Sequence, residues 1–241
     1  MSEADAADAP VTEIHHSHGD VSGGWLRAAV FGAMDGLVTN TALVAGVGGG
    51  GVGDRAIVLS GVASLVAGAI SMALGEYTSV TTQNEQLDLE VEKERRELHA
   101  NPRGEAAELA QMLASRGVDP AQAQSVADQL SRDPDTALRL HVLAELGLNP
   151  ADKPSPWVAA TSSFVTFAVG ALIPLLPYLL GFSSLVAALV CGGAGLFLAG
   201  ALSSRFTPRP WWWAALRQLL FGAVAAGVTY AIGTAIGVAV T

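Results

Sequence analysis

The sequence predicts an all-α, polytopic membrane protein with five transmembrane helices and a helical cytosolic insert between the second and the third. Of its 241 residues, 51% are hydrophobic and only 15% are charged, whereas soluble domains carry about 25% charged residues. The charge is also unevenly placed. Residues 157–204 contain no Asp, Glu, Lys, Arg or His, and residues 83–153 hold most of the charged side chains. The chain is therefore apolar toward both ends and polar in the middle.

Net charge and cysteine content narrow the function classes. A net charge of −9 argues against a nucleic-acid partner, because binding phosphates requires a basic surface. The one cysteine, Cys191, lies in an apolar run, so neither a disulfide framework nor a thiolate metal site is expected. Residues 1–24 contain no apolar core and no cleavage site. We interpret them as a polar, His-containing cytosolic tail rather than a signal peptide.

The first two spans flank a short glycine-rich turn. A transmembrane helix needs about 20 mostly apolar residues, and residues 25–50 and 56–77 both satisfy this length. The first contains one carboxylate, Asp35, and ends at a run of four glycines that begins at Gly48. We therefore assign residues 25–82 to transmembrane helices one and two.

The last three spans follow the charged middle. The uncharged stretch, residues 157–204, is about twice the length that one span requires. Residues 181–184 are its predicted hairpin, which gives helices over 157–180 and 184–204. The fifth helix follows Pro210 and runs to the C-terminus. Residues 154–241 thus form transmembrane helices three to five.

The distribution of Lys and Arg predicts the orientation. Cytosolic loops carry an excess of these residues. Basic side chains occur before the first helix, in the middle segment and between helices four and five, at Arg27, Lys93, Arg95, Arg96, Arg205 and Arg209. The N-terminus and the middle segment are therefore predicted to be cytosolic, with the C-terminus on the opposite side, as five spans require.

The middle segment, residues 83–153, is predicted to form a cytosolic helical lobe, called the lobe below, whose metal-binding candidates follow. Helix formers with a narrow apolar stripe predict a helix over 83–99, which continues the second span. Asn101-Pro102 stops it, and a second helix follows. Asp119-Pro120 and Asp133-Pro134 then open two more helices, with Asp as N-cap and Pro in the first turn.

Two ionisable groups in the spans are candidates for a translocation pathway. A charge inside the bilayer is costly and marks function by default, which singles out Asp35. Met72 and Glu76 lie four residues apart in helix two and therefore share one helical face. Alternatively, Asp35 caps a neighbour near the membrane surface, and Met72 is a packing residue.

Paired carboxylates make the lobe a candidate metal site. Two i,i+3 glutamate pairs flank the Asn-Pro break, and an i,i+4 His–Glu pair lies in the last lobe helix: Glu94, Glu97, Glu105, Glu108, His141 and Glu145. A helical hairpin would bring the four glutamates of the first two helices together, and oxygen ligands suit Fe²⁺ and Mn²⁺. The alternative is a solvated charged face, helped by Lys93, Arg95 and Arg96.

The N-terminal tail contains a third candidate. His15, His16 and His18 are followed by Asp20, a composition that captures metal ions loosely. The alternative is a plain polar tail.

Three short sequences resemble the vacuolar iron transporter family: MDGLVTN at residues 34–40, SMALGEYTSV at 71–80 and ERREL at 94–98. The resemblance extends over nearly the whole chain from Gly24 onward, including the order of five spans and the charged insert.

The resemblance implies a homodimeric Fe²⁺/H⁺ exchanger that moves metal out of the cytosol, with Mn²⁺, Co²⁺ or Zn²⁺ as other cargo and no prosthetic group. It places Asp35 and Met72 in the pathway, and the lobe glutamates Glu94, Glu97, Glu105, Glu108 and Glu145 in a metal cluster. Family members can have methionines at the positions of His141 and Val142, so the metal preference of this chain is open. A bacterial plasma membrane is the first expectation for its location, and a vacuolar-type membrane is the second.

Two other functions remain as alternatives. One is a membrane-anchored, ferritin-like iron oxidase or storage protein. Such di-iron sites use Glu-x-x-His pairs, and the lobe contains none, so we expect a transporter and not an enzyme. The other is a structural membrane protein whose acidic lobe binds a partner.

Overall fold

A computed structural model describes residues 24–147, 149–150 and 152–240, and in these ranges it is all helical without strands. The tail histidines His15, His16 and His18 lie outside the described residues. The α-helices in chain order are α1 Gly24–Gly49, α2 Asp54–Ala100, α3 Pro102–Ser115, α4 Pro120–Leu130, α5 Pro134–Leu146, α6 Pro156–Leu172, α7 Leu176–Leu179, α8 Leu185–Ser203 and α9 Trp211–Val240.

Five helical segments are long and apolar enough to cross a membrane, which confirms the predicted number of spans: α1, α2, α6 with α7, α8 and α9. The third span differs from the single helix expected over 157–180. It tightens into a 3₁₀ turn at Ile173–Leu175 before α7. Pro174 and Pro177 cause the change, because proline lacks the N–H that an α-helical hydrogen bond needs. The hairpin then turns at Gly181, where φ is +88°.

α1 lies at the centre of the membrane bundle and packs against α2, α6, α8 and α9. Small residues allow the closest approach. Gly170 of α6 faces the carbonyl oxygen of Ala33, and Gly36 of α1 faces that of Phe167, so a side chain at either glycine would overlap backbone. Asn40 is fully buried and donates hydrogen bonds to the carbonyl oxygens of Gly61, at 3.2 Å, and Ala171, at 2.7 Å. This one side chain therefore joins α1 to α2 and α6.

Gly170→Ala is expected to destabilise the bundle. The added methyl group overlaps the Ala33 carbonyl and forces α1 and α6 apart, which costs about 1–3 kcal/mol of unfolding free energy. Thermal unfolding followed by tryptophan fluorescence measures the effect. Gly227→Ala in α9 is the control, because a methyl group there meets nothing within 4 Å. Equal melting temperatures for the two variants would contradict the packing account.

α2 runs without a break from the membrane into the lobe. Its 47 residues span about 70 Å at 1.5 Å per residue, whereas the hydrocarbon core is about 30 Å thick. The apolar stretch ends near Tyr77, so the second half of α2 lies outside the bilayer. The predicted continuity of the second span and the first lobe helix is therefore seen in the structure as one helix.

The other lobe helices pack around the end of α2. α3 and α4 share a small apolar core of Leu109, Ala110, Ala123 and Ala127, and α5 lies against α2. The predicted starts of α4 at Pro120 and α5 at Pro134 are confirmed, with one difference in capping. Asp119 accepts hydrogen bonds from backbone N–H groups of α4, whereas the carboxylate of Asp133 accepts one from the Thr136 hydroxyl instead.

The chain that returns from the lobe is fastened to α2. Asn84 donates a hydrogen bond to the Pro154 carbonyl at 3.0 Å, and Lys153 forms an ion pair with Asp88. Both contacts lie just beyond the apolar part of α2. They hold the start of α6 beside the base of the lobe.

Candidate metal centre

His141 of α5 lies in the interior of the lobe, with carboxylates from three helices around it. Its side chain is fully buried, and its Nδ1 lies 3.1 Å from Glu94 Oε1 on α2 and 3.7 Å from Glu105 Oε2 on α3. Glu145 Oε1, one turn further along α5, is 3.6 Å away. We call these four residues the Glu–His cluster.

Local sequence explains how these side chains meet. Asn101 ends α2 and caps α3, where its side chain accepts a hydrogen bond from the Gly104 N–H at 3.1 Å. Pro102 follows at the first position of α3, where proline is well tolerated. The chain reverses there, so Glu94 and Glu105 approach each other from either side of the break. α5 then packs on α2 and inserts His141 between them.

The spacing within the Glu–His cluster fits a single metal ion. Ligand atoms bound at about 2.1 Å to one ion lie about 3.0–3.4 Å from one another. Nδ1 lies 3.1–3.7 Å from the three carboxylate oxygens, and one ligand atom each from Glu94, Glu105 and His141 lie within 4.8 Å of one another. Small adjustments of side chains would close the cluster around an ion.

Several buried polar atoms of the cluster have no hydrogen-bond partner among the described residues. They are His141 Nε2 and the pair Glu94 Oε1 and His141 Nδ1, which lie 3.1 Å apart but are not oriented for a hydrogen bond. Buried polar groups are nearly always satisfied, and both atom types are metal ligands. A cation held between Glu94 Oε1 and His141 Nδ1 would satisfy these two atoms, and Nε2, on the other side of the ring, would then carry the imidazole proton.

Burial and mutual repulsion shape the electrostatics of the cluster, which lies outside the bilayer. Burial, followed by the charge on Glu145, raises the pKa of Glu94 to about 7, although His141 acts in the opposite direction. Burial also raises the pKa of Glu105. Because the pKa of both carboxyls is raised, protons compete with an arriving metal ion for their oxygens.

The affinity of the Glu–His cluster for metal is therefore expected to weaken as the pH is lowered. A carboxyl with a pKa of about 7 is mostly protonated at pH 6 and ionised at pH 8, so affinity should weaken about tenfold between pH 8 and pH 6. Titration of the full-length protein in detergent with Co²⁺ at both pH values measures the change. Glu92→Gln, which alters an exposed carboxylate on the same helix, should keep the same dependence. An affinity constant across this range would contradict the expectation.

The remaining lobe candidates lie at the edge of the cluster. Glu97 and Glu108 are exposed, and their charges act on Glu94 and Glu105 without any direct ion pair of their own among the described residues. The alternative interpretation, a solvated charged face, therefore applies to Glu97 and Glu108 but not to Glu94, which is only 6% exposed. Val142 is buried, and its apolar side chain offers no ligand.

The three pathway candidates lie in different surroundings. Asp35 is half-buried and accepts a hydrogen bond from the Thr39 hydroxyl at 3.1 Å. Met72 packs against Phe167 and its neighbours in α6. Glu76 is buried and pairs with Arg27 Nη2 at 2.6 Å. Sequence reasoning treated Arg27 only as an orientation signal and missed this partnership.

The antiparallel register of α1 and α2 sets the depths of these candidates. Arg27 contacts Glu76 and Asn40 contacts Gly61, so Asp35 lies level with residues 66–68 of α2. That level is about 7 Å deeper than Met72 at 1.5 Å per residue. Starting from the lobe, the order is Glu76, Met72 and then Asp35.

These features define a polytopic helical membrane protein with a carboxylate–imidazole cluster between the lobe end of its second span and two helices of the lobe. The model of the VIT family matches residues 26–234, and the chain belongs to this family.

Among similar proteins is "Vacuolar iron transporter 1" of Oryza sativa subsp. japonica, 30% identical over 95% of this chain and 94% of the relative. "Vacuolar iron transporter 1" of Arabidopsis thaliana is 32% identical over 92% and 88%. "Vacuolar iron transporter" of Acanthamoeba castellanii is 39% identical over 74% and 69%. Because such relatives are named as transporters, the chain is a membrane transporter rather than an enzyme.

Proposed function

We propose that the protein moves Fe²⁺ out of the cytosol through its membrane domain in exchange for protons. The observation that carries this proposal is the alignment of metal ligands along one helix. α2 carries Glu94 of the Glu–His cluster, and about 27 Å nearer the membrane it carries Glu76, followed by Met72. The cluster collects ions from the cytosol, and the same helix leads toward Asp35.

Fe²⁺ is the proposed cargo because the relatives are named for iron. The ligand set supports this choice, since carboxylate oxygens and an imidazole nitrogen both suit Fe²⁺. The same donors accept Mn²⁺, Co²⁺ and Zn²⁺, which we propose as competing cargo. No prosthetic group is part of the mechanism.

Proton exchange is proposed to occur at Asp35. A carboxylate can hold a proton or take part in binding a metal ion, and the two compete for the same oxygen atoms. A proton arriving from the acidic side displaces the ion, and loss of that proton on the cytosolic side restores the site. The metal ion then moves in the direction opposite to the flow of protons down their gradient.

Topology and assembly also belong to the proposal. We place the tail, residues 1–24, and the lobe, residues 83–153, in the cytosol, and the C-terminus on the opposite side. Residues 25–82 and 154–241 form the membrane domain, and two copies pair as a homodimer. The relatives named above are plant and amoeba proteins with "vacuolar" in their names. They support a vacuolar-type membrane, our second expectation, and not the bacterial plasma membrane expected first.

Anaerobic Fe²⁺ uptake into proteoliposomes tests the cargo. Quenching of a trapped chelating fluorophore should report entry, and excess Mn²⁺ or Co²⁺ should slow it by competition. A parallel measurement of O₂ consumption in air addresses the iron oxidase alternative. Rapid O₂ consumption without ion entry would replace transport by oxidation. Absence of both activities would leave a structural or partner-binding protein.

A further inference from the structure

An ion pair joins α1 to α2 near the face of the membrane domain from which the lobe extends. Arg27 Nη2 lies 2.6 Å from Glu76 Oε2, and the two side chains differ sharply in exposure, 60% for Arg27 and 8% for Glu76. In the part of the chain that the structure describes, no other ion pair links two of the spanning helices. The arginine therefore reaches in from the surface to neutralise a carboxylate that is shielded from water.

The surroundings of Glu76 fix its place on the route from the lobe to Asp35. On the lobe side, Ala28, Val80 and Ala159 form a small apolar core that holds α1, α2 and α6 together. On the other side, Met72 lies one helical turn deeper. Glu76 is therefore the first membrane carboxylate below the lobe on the helix that also carries Glu94 of the Glu–His cluster.

The guanidinium group of Arg27 takes the position beside Glu76 that a metal ion entering the membrane domain would take. A carboxylate oxygen is a good ligand for a divalent metal ion, but Oε2 of Glu76 is already bound to a guanidinium group. The positive charge of Arg27 also repels an approaching cation. Arg27 lies in the first turn of α1, which starts at Gly24. Its long exposed side chain can withdraw into water without moving a helix.

We propose that Arg27 is a gating residue: its guanidinium closes the lobe-side entrance by holding Glu76, and an entering metal ion displaces it. The inference rests on the proposed transport function. While Arg27 is withdrawn, Glu76 contributes its oxygens to the ion, and Arg27 returns when the ion has moved to Met72. The entrance is thus closed by an internal cation whenever no cargo is bound.

The experiment compares initial Fe²⁺ uptake into proteoliposomes over a range of metal concentrations for the wild type, Arg27→Gln and Arg27→Lys. Removal of the competing cation should lower KM about fivefold or more in Arg27→Gln, with a smaller decrease in Arg27→Lys. Glu76→Gln should reduce the maximal rate, and adding Arg27→Gln to it should change nothing further. The control Lys153→Gln breaks an ion pair beside the lobe and should leave KM unchanged.

A charge exchange separates gating from simple structural support. The double variant Arg27→Glu with Glu76→Arg re-forms the pair and should recover thermal stability, but it should not recover transport, because a buried arginine at position 76 cannot withdraw. Recovery of both would show that the pair only supports the fold, and an unchanged KM in Arg27→Gln would also overturn the gate. Absence of uptake by the wild type would instead remove the transport function itself.

Discussion

Asp35→Asn is expected to abolish proton-coupled Fe²⁺ transport while leaving metal binding by the lobe intact. The amide cannot take up and release a proton and is a weaker ligand, so both partners of the exchange lose their site. We expect a loss of at least about 100-fold in uptake rate. The Glu–His cluster lies about 40 Å from the level of Asp35 along α2, so its affinity for Co²⁺ should not change.

The matched control for this variant is Asp54→Asn. Asp54 is another aspartate of the membrane domain, but it lies in the first turn of α2, at the end of the bundle away from the lobe. Transport should persist in this control. Uptake at the wild-type rate by Asp35→Asn would remove Asp35 from the pathway, and loss of cluster affinity would show that the variant disturbs the whole fold.

His141→Ala is expected to weaken metal binding by the lobe about 100-fold or more. The imidazole is the only nitrogen ligand among the described cluster residues, and it lies within 3.7 Å of all three carboxylates. Its removal leaves those carboxylates to repel one another around an empty space. Absorption of bound Co²⁺ in full-length protein measures both affinity and coordination, since loss of a nitrogen ligand changes the visible bands.

Two further variants make this test specific. Glu94→Gln should reproduce the loss, because Glu94 is the closest carboxylate to the imidazole. Glu92→Gln should bind as the wild type does, because Glu92 is exposed and its ion pair within the described ranges is with Arg95, outside the cluster. Unchanged Co²⁺ spectra in His141→Ala would show that the ion is bound elsewhere, with Glu97 and Glu108 as the next candidates.

Much of the lobe could be predicted from local sequence. Spacing of four residues puts His141 and Glu145 on one helical face, and the Asn101-Pro102 break predicts the reversal that brings Glu94 toward Glu105. Complete burial of His141 could not be predicted in this way. It depends on how α5 packs against α2, which is a contact between segments about 45 residues apart in the chain.

In the membrane domain, local sequence patterns predict the spans but not the contacts between them. Hydropathy predicted five spans, because their length is set by the bilayer. The same-face spacing of Met72 and Glu76 is real, but their neighbours come from different helices, α6 for Met72 and α1 for Glu76. Such pairings depend on the register of α2 against its neighbours, which the Asn40–Gly61 hydrogen bond sets for α1 and the contact of Gly68 with Phe167 sets for α6. The 3₁₀ turn at Pro174 interrupts a stretch whose hydropathy is uniform.

The account as a whole depends on coupling between metal and proton movement. The most direct test measures Fe²⁺ uptake and internal pH together in proteoliposomes, with and without an imposed pH gradient. We predict that uptake accelerates when the inside is acidic and that the internal pH rises as Fe²⁺ enters. Uptake that is indifferent to the gradient and leaves the internal pH unchanged would contradict proton exchange.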